Sequence, residues 1–104
     1  MRVYDLRDKE GRVFAFEVNN FFLWRQGVIR IVLSIPGARV VWRPSLSWFS
    51  PDVFCRFELG GVTFEAWEPF GDNNRYWIGP EPTRWVPQLE KVREAFVGAR
   101  RYPL

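Results

Sequence analysis

The chain contains no histidine and a single cysteine, Cys55. Without histidine there is no Ser-His-Asp triad, no Cys-His pair and no zinc site of the usual His/Cys kind. One cysteine forms no disulfide within the chain. Lysine is almost missing too. Only Lys9 and Lys91 are present among 15 basic residues, and the rest are arginine. No apolar run is long enough to span a bilayer, because Arg25, Gln26 and Arg30 interrupt the longest one. The N-terminal residues lack the charged-then-apolar pattern of a signal segment, so a cytoplasmic protein is expected. Neither a glycine-rich phosphate loop nor a nucleophile elbow occurs, and no cofactor is expected.

Aromatic residues, by contrast, are abundant: 6 Trp, 10 Phe and 3 Tyr in 104 residues. A chain of this length builds one domain around one core. That core is too small for every ring, so some are expected at the surface beside arginine, as at protein interfaces. The net charge is +3 and the isoelectric point 9.5. Such a charge supports solubility but not a strong phosphate-attracting field.

Turn signals recur along the chain. Residues 2–7 and 12–18 read as a hairpin around Asp8-Lys9-Glu10-Gly11, with Phe14, Phe16 and Val18 on one face by period two. Residues 21–35 read two ways. As a helix, Gln26, Arg30 and Ser34 form a polar stripe, opposite Phe21, Trp24, Val28, Ile31, Val32 and Ile35. As a strand, Ile29, Ile31, Leu33 and Ile35 alternate with the rest. Length, an asparagine cap from Asn19 or Asn20, and the Pro36-Gly37 stop favour the helix, although Gly27 weakens it. Residues 38–43 follow as a strand with Ala38, Val40 and Trp42 on one face. A loop over residues 44–51 then carries Trp48 and Phe49.

The best-specified piece is the hairpin over residues 52–68, turned by Gly60-Gly61. A two-residue Gly-Gly loop fits a type I′ or II′ turn and fixes the register. Leu59 then faces Val62, Phe57 faces Phe64 and Cys55 faces Ala66 on an apolar side. Glu58 faces Thr63, Arg56 faces Glu65 and Phe54 faces Trp67 on the other. After a turn over residues 69–74 comes a short strand, residues 75–78, and a reset at Gly79-Pro80-Glu81-Pro82. Pro87 opens a last helix with Leu89, Val92 and Phe96 as its apolar stripe, Glu90, Arg93 and Glu94 in water and Gly98 as its C-terminal cap. Residues 1–104 therefore form a single α+β domain of order ββαββββα. One antiparallel sheet of about five to six strands carries both helices on one face and leaves the other face open.

Function is sought first on the loop and strand Asp72, Asn73, Asn74, Arg75, Tyr76 and Trp77. Its turn formers are followed by three residue types enriched at binding hot spots. Arg56, Glu65 and Trp67 on the outward hairpin face are secondary contacts. Asp72 has only amide neighbours, which do not make a metal site. Glu68 falls on the inward side beyond Ala66. It is either a buried carboxylate of altered acidity or a strand-end partner of Arg43 or Arg75, and the ion pair is favoured. Cys55 reads as a small buried hydrophobe. The expected function is a non-catalytic protein-binding domain with an aromatic and arginine surface. Such anatomy suits an inhibitor- or immunity-like protein by analogy of size and composition, and self-association through the same face is an equal variant. The alternative is single-stranded nucleic-acid binding, where rings stack bases and arginine meets phosphate. A small carboxylate-dependent enzyme ranks below both.

Overall fold

A computed structural model describes residues 1–19, 23–42, 53–68 and 75–99. Its elements run β1 (Val3–Arg7), β2 (Val13–Asn19), α1 (Trp24–Leu33), β3 (Arg39–Trp42), β4 (Val53–Leu59), β5 (Val62–Trp67), β6 (Arg75–Pro80) and α2 (Gln88–Gly98). This is the expected ββαββββα order. All strands join one antiparallel sheet, in spatial order β1-β2-β6-β5-β4-β3. The chain lays down hairpin β1–β2, crosses beneath the sheet through α1 to the far edge at β3, and returns through β4 and β5. Strand β6 then fills the gap between the two hairpins. Helix α1 packs on β3 and β4, and α2 on β1 and β2.

The helix-facing side of the sheet is the core. Phe16 and Val18 of β2, Ile78 of β6, Phe64 and Ala66 of β5, and Cys55 and Phe57 of β4 are all fully buried. Beneath them lie Val28 and Val32 of α1 and Leu89, Val92 and Phe96 of α2. Burial of each large apolar side chain contributes roughly 1.5–3 kcal/mol. Phe16 meets Phe96 edge-on at 5.3 Å, which ties sheet to helix, while Phe57 stacks on Phe64 at 5.2 Å across the hairpin.

Gly60 and Gly61 take φ of +58° and +79°, a left-handed pair that only glycine adopts without strain. The register is the expected one from Leu59↔Val62 through Cys55↔Ala66. Beyond that point it shifts, and Trp67 pairs with Val53 instead of Phe54. The irregularity puts Phe54 and Cys55 both in the core, with Phe54 edge-on to Tyr76 at 5.2 Å. Two further shifts break simple alternation. One between Leu6 and Arg7 brings Val13, and not Phe14, against the core beside Phe16. The other, between Val40 and Trp42, pairs Val40 with Phe57 and Trp42 with Arg56, and the face of the Trp42 side chain lies outside the described residues.

The helical reading of the segment after β2 holds over Trp24–Leu33, but the helix lacks the expected asparagine cap. Asn19 closes β2, and the N-cap position is Leu23 with no side-chain bond. Asn20, Phe21 and the loop over residues 44–51 lie outside the described residues. Val28, Val32 and Ile35 point inward as the stripe requires, whereas Trp24 is 65% exposed at φ +63°. Gly27 has a packing reason. A Cβ there would stand 2.7 Å from Cδ1 of the buried Leu23.

In α2 the Leu89, Val92 and Phe96 stripe is buried as expected. Gly98 is its last helical residue, and the C-cap is Ala99 in an extended conformation. Arg93 is not left in water. Its Nε and Nη2 donate to the two carboxylate oxygens of Asp5 at 2.7 and 3.0 Å, pinning α2 to edge strand β1. The Met1 ammonium donates to the Val97 carbonyl at 2.6 Å, a cation at the negative end of the helix dipole.

Truncation of the stacked ring in Phe57→Ala is expected to lower unfolding free energy by about 3–5 kcal/mol. Urea denaturation followed by tryptophan fluorescence checks this, and a change below about 1 kcal/mol would remove Phe57 from the core.

Candidate interaction surface

Strand β6 is central, so its alternation assigns residues to both faces of the sheet. Tyr76, Ile78 and Pro80 point to the helices and are buried, while Arg75, Trp77 and Gly79 point away. The registers on either side align Tyr4, Glu17, Trp77, Trp67 and Val53 in one row across five strands. The neighbouring row carries Gly79, Glu65 and Arg56.

At the middle of this outer face the Trp67 and Trp77 rings lie 5.4 Å apart, tilted by 56°, and both are half-buried. The Trp77 indole also leans along its own strand over Gly79. A Cβ on Gly79 would come within 2.8 Å of both the indole Cη2 and the Ala15 Cβ. Glycine at 79 and alanine at 15 therefore make room for the indole, and Ala15 is fully buried on the outer face. Aromatic cover over a strand glycine is a recurrent device of sheet packing.

Three ion pairs lie on the same face. Arg75 donates to Glu17 at 3.3 Å, Arg56 to Glu65 at 2.9 Å and Arg39 to Glu58 at 2.8 Å. The Arg75 guanidinium also sits 3.6 Å from the Tyr4 ring centroid, and that of Arg2 lies 5.2 Å from it. In every pair the glutamate is the deeper partner. Side-chain exposures are 35% and 23% for Arg75 and Glu17, 47% and 13% for Arg56 and Glu65, and 71% and 42% for Arg39 and Glu58.

The structure thus gathers Arg75, Trp77, Arg56, Glu65 and Trp67 on one face. Tyr76 does not join them. It is 4% exposed and belongs to the core, because neighbours in a strand point to opposite faces. Asp72, Asn73 and Asn74 lie outside the described residues. Tyr4, Glu17 and Arg39 complete the surface with Glu58 and were not singled out from the sequence. Period two places each of them outward, but only the strand order brings them beside the tryptophans.

A second polar cluster lies on the helix side. Arg25 of α1 donates through Nε and Nη2 to one oxygen of Glu68, at 3.0 and 2.5 Å, and its guanidinium covers the Phe54 ring at 5.0 Å. Glu68 is inward, as expected, and its partner among the described residues is Arg25, while Arg75 bonds Glu17 and Arg43 lies outside the described residues. Burial and the nearby Glu68 carboxylate raise the Tyr76 phenol above its ordinary value, with Arg25 acting in the opposite sense. Cys55 is buried. A groove of about 490 Å³ between the end of α1 and α2 is lined by Ile35, Pro36 and Ala95, with Lys91 and Glu94 as its titratable groups. Among the described residues no three His, Cys, Asp or Glu side chains are grouped to hold a metal, and no helix is long and apolar enough to cross a membrane.

The chain matches no protein-family model, no curated protein and no solved structure.

Two measurements check this geometry. A double-mutant cycle of Trp67→Ala and Trp77→Ala is expected to give a coupling of about 0.5–1.5 kcal/mol, and additive effects would separate the rings. Tyr76 should ionise above its ordinary value of 10.0. Below that pH the folded and unfolded chains both keep the proton. Above it the unfolded chain loses the proton first, so stability falls as pH rises toward the folded value. Absorbance titration at 295 nm should show a late phenol step that Tyr76→Phe removes.

Proposed function

We propose that the chain is a non-catalytic protein-binding domain that engages its partner through the open sheet face. The observation that carries this reading is the half-buried Trp67–Trp77 pair, fixed by Gly79 and Ala15 and framed by arginines. Rigid aromatic side chains with arginine at the margin are the residue types that dominate binding energy at protein interfaces. A cytoplasmic setting belongs to the same reading and rests on the lone, buried thiol of Cys55.

The charge arrangement disfavours the nucleic-acid alternative. Arg39, Arg56 and Arg75 are each matched by a glutamate on the same face, so neutralising phosphates would release few counterions. The basic groups also surround the rings instead of tracking past them as a strand of phosphates requires. Catalysis is disfavoured by the chemistry of the candidates. Glu68 is held by Arg25, and the Cys55 thiol is buried among apolar side chains.

Cross-linked capture with the full chain tests the reading. A partner recovered by the wild type should be lost with Trp67→Ala and retained with Leu33→Ala, whose side chain is exposed on the helical side. Equal recovery by both variants would move the binding surface off the sheet. A steep loss of binding with added salt would restore the nucleic-acid reading.

A further inference from the structure

The outer face is laid out about the midline of the sheet. In the order β1-β2-β6-β5-β4-β3 the two central strands are β6 and β5, and they carry Trp77 and Trp67 in one row. In that row Glu17 of β2 stands on one side of the rings and Val53 of β4 on the other. The next row has Gly79 beside Glu65 at its centre, Arg56 of β4 beyond Glu65, and Ala15 of β2 against Gly79. The charges are matched within the chain, Arg75 with Glu17, Arg56 with Glu65 and Arg39 with Glu58. The net charge of +3 therefore lies outside these three pairs. A charged occupant would lose its own hydration over them without gaining a free counter-charge. An occupant suited to this face is apolar at its centre and electrically matched around it.

We propose that the occupant is a second copy of the chain, related by a two-fold axis that runs along the strands between β5 and β6. The inference rests on the protein-binding reading above and names the partner. Such a contact is isologous, so each residue meets the position that meets it in return. About this axis β6 lies over β5 of the other copy, and Trp77 of each copy meets Trp67 of the other. Glu17 falls opposite Val53, Glu65 opposite Gly79 and Arg56 opposite Ala15, so no charge in these two rows confronts one of like sign. The four indoles fill the space between sheets stacked about 10 Å apart. Six strands about 4.8 Å apart and roughly six residues long cover about 550 Å² on each copy. The total of about 1,100 Å² lies just below the range of standard stable interfaces, so the dimer is reversible and of micromolar affinity. The excess charge of +3 opposes it only weakly, since salt screens it within about 8 Å at physiological ionic strength.

The test is sedimentation velocity on the full chain from about 1 to 500 µM, a range that brackets a micromolar dissociation constant. The weight-average mass should rise with concentration from 12.4 kDa toward twice that value. Trp67→Ala should raise the dissociation constant at least about thirtyfold, the weight of one hot-spot ring. Leu33→Ala, exposed on the helical side, should leave it unchanged. Val53→Arg, placed opposite Glu17, should tighten the dimer by about threefold or more, and Val53→Glu should weaken it as much, because each substitution enters the interface twice. A merely structural role of Val53 does not give responses of opposite sign. Circular dichroism matching the wild type shows that each variant is folded. A mass that stays at 12.4 kDa at every concentration would overturn the second copy and leave the face to the capture experiment. A dimer indifferent to Trp67→Ala would place self-association elsewhere and overturn the proposal. Equal responses to Val53→Arg and Val53→Glu would overturn the two-fold arrangement. The protein-binding reading fails separately, when neither a second copy nor a captured partner depends on Trp67.

Discussion

The structure depends on the insertion of β6 between β2 and β5. Before that strand is in place the chain consists of two hairpins, a crossing helix and an edge strand, and the central row of the core is missing. With β6 seated, Ile78 and Tyr76 close the core against Phe16, Val18 and Phe54, and the sheet becomes continuous from β1 to β3. The same strand supplies Trp77 to the opposite face. One strand of six residues thus fixes both the packing of the helices and the centre of the candidate surface, because period-two alternation leaves no freedom to change one without the other. Pairings of this kind join residues far apart in sequence, so β6 is the element whose docking has the greatest loop-closure cost to overcome.

The two faces treat charge differently. On the helix side, ionic groups act as ties. Arg93 and Asp5 bind α2 to an edge strand in a two-bond fork, and Arg25 and Glu68 bind the start of α1 to the end of β5. Both pairs are partly exposed, Arg93 and Asp5 at 31% and 17% and Arg25 and Glu68 at 27% and 23%. On the outer face the pairs run between neighbouring strands already held by backbone hydrogen bonds. Exposed pairs such as Arg39–Glu58 add little stability there, since solvent screens them. Their consequence is positional. They fix where the arginine and glutamate side chains of adjacent strands lie relative to one another.

What could be read in the sequence was local. Gly60-Gly61 demands a tight turn, and that turn dictates four following cross-strand partners without reference to the rest of the molecule. Leu89, Val92 and Phe96 share a helix face for an equally local reason. The readings that failed each depended on a neighbour that the sequence does not name. Asn19 is a good capping residue, yet β2 pairs with β6 up to that position and takes it into the sheet. Tyr76 has the chemistry of an interface anchor, and only the place of β6 in the sheet shows that its ring faces inward. Arg93 reads as a solvated residue until β1 brings Asp5 beneath it. Arg56, Glu65 and Trp67 were legible as outward because they lie within the turn-fixed hairpin. Glu17 and Tyr4 also alternate outward, but no short-range signal places β2 beside β6 and so brings them to the tryptophans.

The shift at the start of β4 shows how one irregularity serves both sides. Strict alternation would have set Phe54 opposite Trp67 on the outer face. The extra residue instead turns Phe54 inward, where its ring meets Tyr76 and carries the guanidinium of Arg25. Arg25 is thereby held against Glu68, and the same pair of charges acts on the Tyr76 phenol. Outside, the position opposite Trp67 falls to Val53, a smaller side chain. Among the described residues of that row, the ring beside Trp67 is Trp77. A bulge that solves a packing problem beneath the sheet thus also decides which side chain stands beside the indole above it.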